Sequence, residues 1–364
     1  MRNVLTLRSL SSLGLGALLL GSTACAGLQV TEIKKTTQKP SQVAIYFKVT
    51  TGDEEPVPNL TAESFNIYED ETLVSPTESQ QVILNPEVAA SHYTLLLVDM
   101  SGSVAESDDM ETVITAAETF ATRVESNNYV AIYAFDGDEE IEKLSDFRKA
   151  SEDSSGAQRI ANFQPDDPST NLNGAIIKGL ELLDDQLEKA DTPLKFGTLV
   201  VFTDGTDRAS RVSEEDLYEA VDETAHDIFA IGLGDEISED QLNRIGKDGT
   251  SMAQDKSSVV EAFDTIAAKI EGMTKSYYLL SYCSPARAGS HALEIEAVVE
   301  EDGKSDKGSL ESEFDAEGFK KGCDPNTPPK FDVTKGDAIA DKPADDKGKG
   351  KGKGNASASA SVGK

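Results

Sequence analysis

The sequence of 364 residues is poor in the side chains that carry most nucleophile and soft-metal chemistry, with three Cys and three His. His92, His226 and His291 are scattered, none in a zinc spacing, and read as surface or core histidines. No Gly-rich phosphate loop and no G-x-S-x-G elbow occurs, so no catalytic residue is assigned. Positive charge is scarce as well: 34 Lys and Arg against 66 Asp and Glu leave a formal net charge of −32. That field repels phosphate backbones, which speaks against nucleic acid as a partner. It favours solubility and attracts divalent cations, although a solvated acidic surface is its default meaning. No apolar stretch suits a membrane span: the segment from Leu10 to Leu20 is too short to cross comfortably. Hydrophobic residues make up 38% of the chain, enough for a globular core with part of the length unpacked.

What is present is organised around Tyr93 to Val104, YTLLLVDMSGSV. Leu95, Leu96, Leu97 and Val98 form an unbroken apolar run, the pattern of a strand buried on both faces of a parallel sheet. The run ends in Asp99, Ser101 and Ser103, three oxygen-bearing side chains at alternate positions where a strand meets a loop. Ligand sites in open α/β sheets lie at the carboxyl ends of strands. Thr170, in STNLNGA, stands just before a helical pattern, and Asp204, in LVVFTDG, follows another apolar run. Two carboxylates and three hydroxyls, with no nitrogen or thiolate, disfavour Zn²⁺ and favour Mg²⁺ or Mn²⁺. The bland alternative is three unrelated turns built from ordinary turn residues.

These stretches resemble the von Willebrand factor A (vWA) family. Its metal-ion-dependent adhesion site (MIDAS) is built from a DxSxS motif and a later Thr and Asp in these contexts and this order. The resemblance implies a metal shell of Asp99, Ser101, Ser103, Thr170 and Asp204, with one position left for an Asp or Glu of a protein partner. One departure is Ser169, where relatives often have Gly before the Thr. The fold class it implies is α/β, a doubly wound, mostly parallel, Rossmann-like sheet. From Tyr93 to about Lys275 strand and helix patterns do alternate, as such a domain requires. A weaker strand is expected at Ile141 to Phe147. Asp136, Asp138, Glu139 and Glu140 crowd the loop before it, where a charged hairpin turn is a better reading than a calcium site.

The flanks read differently. Residues 1–24 are expected to be a signal peptide: Arg2 and Arg8 accompany the apolar segment, and the small residues 21–24 follow it. Cys25 comes next and resembles a bacterial lipoprotein's lipidation site, although Ser22 stands where Leu is usual. The competing reading is an ordinary cleavage site at Ala24-Cys25-Ala26 that discards the Cys. On either reading the protein leaves the cytoplasm, and the expected location is the bacterial cell envelope, at the outer membrane or periplasmic face, with a lipid anchor on the first reading. Residues 25–40 read as a polar tether. Residues 41–90 read as an N-terminal β segment, with Val43, Ile45, Phe47 and Val49 alternating. The segment NLTAESFNIYEDE is similar to one preceding the vWA domain in many exported bacterial vWA proteins. The vWA domain is expected at 91–276, and a C-terminal β segment at 277–323. Three short strands on either side would be marginal alone, so one β domain built from both ends, with the vWA domain inserted, is the economical solution. In an oxidising envelope Cys283 and Cys323 are expected to pair. Residues 324–364, rich in Pro, Lys, Gly, Asp and Ala, read as a disordered tail.

The expected function is an envelope-anchored binding or adhesion protein that captures an acidic protein ligand through the metal. The alternative is a scaffold lipoprotein whose metal serves folding only. An enzyme is not expected, since no positioned base or activated nucleophile accompanies the candidate site.

Overall fold

The structure is a computed structural model and describes residues 27–105, 110–124, 128–149, 156–301 and 303–331. The expected signal peptide, Cys25 and the tail beyond residue 331 lie outside the described residues. The chain opens with strands β1 (Gln29–Gln38), β2 (Gln42–Thr50), β3 (Phe65–Glu69) and β4 (Thr72–Leu73), a short helix α1 (Pro76–Ser79) and β5 (Val82–Leu84). The alternating region begins with β6 (Ala90–Asp99), α2 (Gly102–Ala105), α3 (Met110–Val124), β7 (Tyr129–Phe135), β8 (Glu142–Lys143), α4 (Gly156–Ile160) and α5 (Leu172–Lys189). It continues through β9 (Leu194–Thr203), α6 (Glu214–Glu223), β10 (Asp227–Leu233), α7 (Glu239–Ile245), β11 (Gly249–Ala253) and α8 (Lys256–Lys275). Strands β12 (Tyr277–Cys283), β13 (Ser290–Glu301) and β14 (Lys304–Asp315) follow.

The apolar run of β6 lies at the centre of a six-stranded sheet of order β11-β10-β9-β6-β7-β8. Every pairing in it is parallel except the edge hairpin of β7 and β8. The run is continuous because both faces are covered. Leu96 and Val98 pack with α3 and α8 through Phe120, Phe263 and Ile266. Leu95 and Leu97 pack on the opposite side with α5, α6 and α7 through Ile176, Leu183, Leu217 and Leu242. Each such Leu contributes roughly 1.5–3 kcal/mol by leaving water. Helix starts are set by local chemistry: the Ser213 and Ser238 hydroxyls accept the backbone N–H groups of Asp216 and Gln241. This is the doubly wound α/β fold anticipated from the alternation of strands and helices.

The flanking strands form two four-stranded sheets, β1-β2-β12-β5 and β14-β13-β3-β4, so each sheet takes strands from before and after the α/β region. Strand β2 explains how the three layers stack. Val43, Ile45, Phe47 and Val49 face the second sheet, packing with Phe65, Ile67 and Ile295. Ala44 and Tyr46, the intervening residues, belong to the core of the α/β region. The Tyr46 ring stacks near Phe196 and Tyr277, with centroids 6.2 and 5.9 Å away. The first sheet is therefore a shared wall between two cores.

Three expectations are corrected. The polar tether at 25–40 contains β1, which pairs with β2 from Gln29↔Thr50 to Gln38↔Gln42. Its hold is chiefly the backbone ladder, with only Val30 and Ile33 packed against the cores on either side, too few to show as an apolar alternation. The strand expected at Ile141–Phe147 is reduced to the two residues of β8. The tail expected to be disordered from 324 is ordered as far as 331. The Gln42 Nε2 donates to the carbonyls of Pro325 and Thr327, at 3.3 and 2.7 Å, and Phe331 is buried in the α/β core. Contacts made through backbone carbonyls and a single Phe leave no periodic trace in a sequence. A disulfide joins Cys283 to Cys323, with Cα atoms 5.7 Å apart, and roots this segment on β12.

Candidate metal centre

Strands β6 and β9 are neighbours, but the chain leaves β6 towards β7 on one side and leaves β9 towards β10 on the other. A crevice opens at the carboxyl ends of strands where the order reverses. Asp99 ends β6 there, and Asp204 directly follows β9. Asp99 is fully buried, at 0% exposure. Its Oδ1 accepts the Ser101 N–H at 2.9 Å, and its Oδ2 accepts the Thr203 hydroxyl at 2.7 Å. The hydroxyls of Ser101 and Ser103 lie 3.3 Å apart, and Ser103 hydrogen-bonds Asp204.

Backbone hydrogen bonds lace the three loops together. Gly102 N–H donates to the Pro168 carbonyl at 2.9 Å, and the Thr170 carbonyl accepts from Arg208 and Ala209 N–H at 2.8 and 2.9 Å. Thr170 itself is 4% exposed. Asn171 caps α5, with its side chain accepting the Gly174 N–H. The structure thus brings the loops of Asp99, Ser101 and Ser103, of Thr170 and of Asp204 to one edge of the sheet. Ser169 fits because Gly137 lies beneath it: a Cβ built on Gly137 would stand 2.1 Å from the Ser169 hydroxyl. Ser169 then donates through both N–H and hydroxyl to Asp167 Oδ1, at 3.0 and 2.8 Å.

Two supporting residues escape motif reading. Thr203 bonds Asp99 from the end of an apolar strand, where it reads as a β-former. Asp136 accepts N–H bonds from Asp138, Asp166 and Asp167 at 2.7, 2.8 and 3.2 Å, tying the loop after β7 to the loop before Thr170. Its place in a run of acids concealed that role.

The donor set can be tested against a divalent cation. Burial pushes the Asp99 carboxyl up to about 7; the bonds from Ser101 and Thr203 pull it down, and Asp204 adds to the push. Burial raises Asp204 as well, against the Ser103 bond and with help from Glu236. A buried carboxylate held by neutral donors beside a second carboxylate is an unfavourable arrangement without positive charge between them. A hard cation would supply that charge, and the hydroxyls of Ser101 and Ser103 add hard oxygen donors, so the residues fit Mg²⁺ or Mn²⁺. No cluster of three or more His, Cys, Asp or Glu side chains suited to a metal occurs among the described residues, so hydroxyls are required to complete any shell here.

The family model of the von Willebrand factor type A domain matches residues 95–270. No curated protein matches the chain. Among solved structures, the chain is similar to a von Willebrand factor type A protein from Catenulispora acidiphila at 13% identity and a TM-score of 0.41, covering 80% of this chain and 74% of that one. It is similar to the ArnB paralog VWA2 from Sulfolobus acidocaldarius at 13% identity and a TM-score of 0.38, covering 80% and 75%. A third is proximal thread matrix protein 1 from the mussel byssus with a zinc-occupied MIDAS motif, at 14% identity and a TM-score of 0.41, covering 49% of this chain and 48% of that one.

Proposed function

From the premise that residues 95–270 are a von Willebrand factor type A domain, a module of protein–protein interaction, we propose that this chain is an envelope-anchored binding protein that captures a partner's Asp or Glu through a divalent metal. Asp99, Ser101, Ser103, Thr170 and Asp204 would hold Mg²⁺ or Mn²⁺. The bound cation would supply the positive charge that an acidic partner meets. Cys25 would carry the lipid anchor, placing the module at the outer membrane or periplasmic face.

The observation that carries this reading is the buried Asp99 carboxylate, held by neutral donors with Asp204 alongside, at the point where the strand order reverses. Neighbouring features point the same way. Five oxygen-bearing protein groups leave room for an external ligand, since Mg²⁺ prefers six. The chain's acidic field opposes an acidic partner, but salt screens it beyond roughly 8 Å, so a direct metal–carboxylate bond prevails at contact.

The test is capture of envelope proteins on the immobilised full chain, with Mg²⁺ or with chelator. Wild type is expected to retain a partner only with Mg²⁺. Asp99→Ala should lose that capture with an unchanged circular dichroism spectrum. Capture that persists in chelator, or in Asp99→Ala, would favour the scaffold reading instead.

A further inference from the structure

A second concavity lies in the β sandwich. It has a volume of about 710 Å³ and opens between the β3–β4 hairpin and the Cys283–Cys323 disulfide. Glu69, only 6% exposed, is part of its lining. The Glu69 Oε1 accepts the Tyr282 hydroxyl at 2.9 Å, and its Oε2 accepts the Ser284 hydroxyl at 3.1 Å. A carboxylate has about four acceptor sites, so two hydroxyls leave roughly half of that capacity unused. Neither hydroxyl brings charge, and burial raises the Glu69 carboxyl above its usual range, against a smaller pull from His291, whose own Nδ1 is held by Asp70 at 2.7 Å.

Arg287 lines the same cavity. Its Nη1 donates to the carbonyls of Ser284 and Ala286, at 2.8 and 2.5 Å. These bonds orient the guanidinium and leave donors of its planar fork free for a carboxylate. Ser284 is thus a common hub: its hydroxyl holds the acid, and its carbonyl holds the base. Among the described residues the acid and the base form no ion pair with each other. Lys321, beside the disulfide, adds a further positive group to the lining; His291 and Asp70, also in the lining, are bonded to each other, and Glu78 is a further acid. Leu73, at the rim, is 52% exposed, one of two large apolar side chains so exposed among the described residues.

We propose that this cavity binds a small zwitterion, an amino acid or short peptide, with its ammonium on Glu69, its carboxylate on Arg287 and an apolar side chain against Leu73. The opposite charges anchored on Ser284 select for a ligand carrying both signs. The volume accommodates a dipeptide. The site lies in the sandwich and owes nothing to the metal centre, so it stands or falls separately from the proposed capture of an acidic partner.

The test is calorimetric titration of the full chain with leucine, Ala-Leu, N-acetyl-Ala-Leu and Ala-Leu amide, with Mg²⁺ and with chelator. Leucine or Ala-Leu should bind saturably in both conditions, which separates this site from the metal. Blocking either terminus should weaken binding about tenfold or more, the loss of one charge-assisted contact. Glu69→Gln keeps acceptor and donor capacity for Tyr282 and Ser284 and should lose the preference for a free amine. Arg287→Ala, at an exposed position, keeps the fold and should lose the preference for a free carboxylate. No saturation by leucine or Ala-Leu up to about 10 mM, equal binding of the blocked peptides, or wild-type affinity in Arg287→Ala would overturn the proposal.

Discussion

At the scale of single residues, burial acts on charge in two opposite ways. Asp99 is an acid made reluctant to ionise, and His92 is a base made reluctant to protonate. His92 stacks on Phe196 with ring centroids 4.7 Å apart and faces Tyr277 at 5.2 Å. Burial lowers its imidazole to about 3, and Lys149 and Lys48 add to the effect. The unfolded chain takes up a proton at this position near pH 6.5. Between about pH 6.5 and about 3 the unfolded state therefore binds more protons, and stability falls as acid is added. His92→Phe should flatten that part of the stability curve by up to about 1.4 kcal/mol per pH unit. Urea melts of both proteins from pH 7 to pH 4 measure it, and parallel curves would show that His92 is not the titrating group.

At the scale of elements, loops that carry the site are held by close backbone approach. Gly137 N–H donates to the Asp167 carbonyl at 2.9 Å, with no room for a Cβ beside Ser169 and Asp167. Gly137→Ala should separate these loops, cost about 1–3 kcal/mol of stability, and, on the proposed function, weaken Mg²⁺ binding about tenfold. Calorimetric Mg²⁺ titration together with thermal melting checks both effects. Unchanged affinity would mean that the loop after β7 gives no support to Thr170. The same contrast explains what could be read from the chain. The run of Leu95 to Val98 announced a doubly covered strand because both faces are apolar, and Asp99, Thr170 and Asp204 were legible at element ends because polar residues there interrupt strong patterns. Strand β1 was not legible: its Lys and Thr residues sit on a backbone ladder that imposes no apolar period. Thr203 was hidden because a threonine in a strand is unremarkable, and its bond to Asp99 depends on the pairing of β6 with β9.

At the scale of the whole molecule, the candidate metal centre and the sandwich lie at opposite ends of the same strands. His92 packs near the sandwich wall, and Asp99, seven residues along β6, reaches the other edge, about 23 Å away at the usual rise per residue. The arrangement presents the site at the far tip of the α/β region. The disulfide closes a 40-residue separation and contributes about 4 kcal/mol by restricting the unfolded chain.

The shared wall has a consequence for how the protein melts. Tyr46 and Phe47 are adjacent on β2 yet belong to different cores. Neither core can lose its side of that strand without disturbing the other, so the two regions should unfold as one cooperative unit. Scanning calorimetry should give a single transition, and Phe47→Ala in the sandwich should lower it for a probe placed on α3 as much as for one on β13. Two separated transitions would contradict this. The same coupling predicts the fate of the α/β region cut out alone at 91–276: the face of Phe196 stacked near Tyr46 and the face of His92 against Tyr277 would meet water, and the fragment should aggregate more readily than the intact chain.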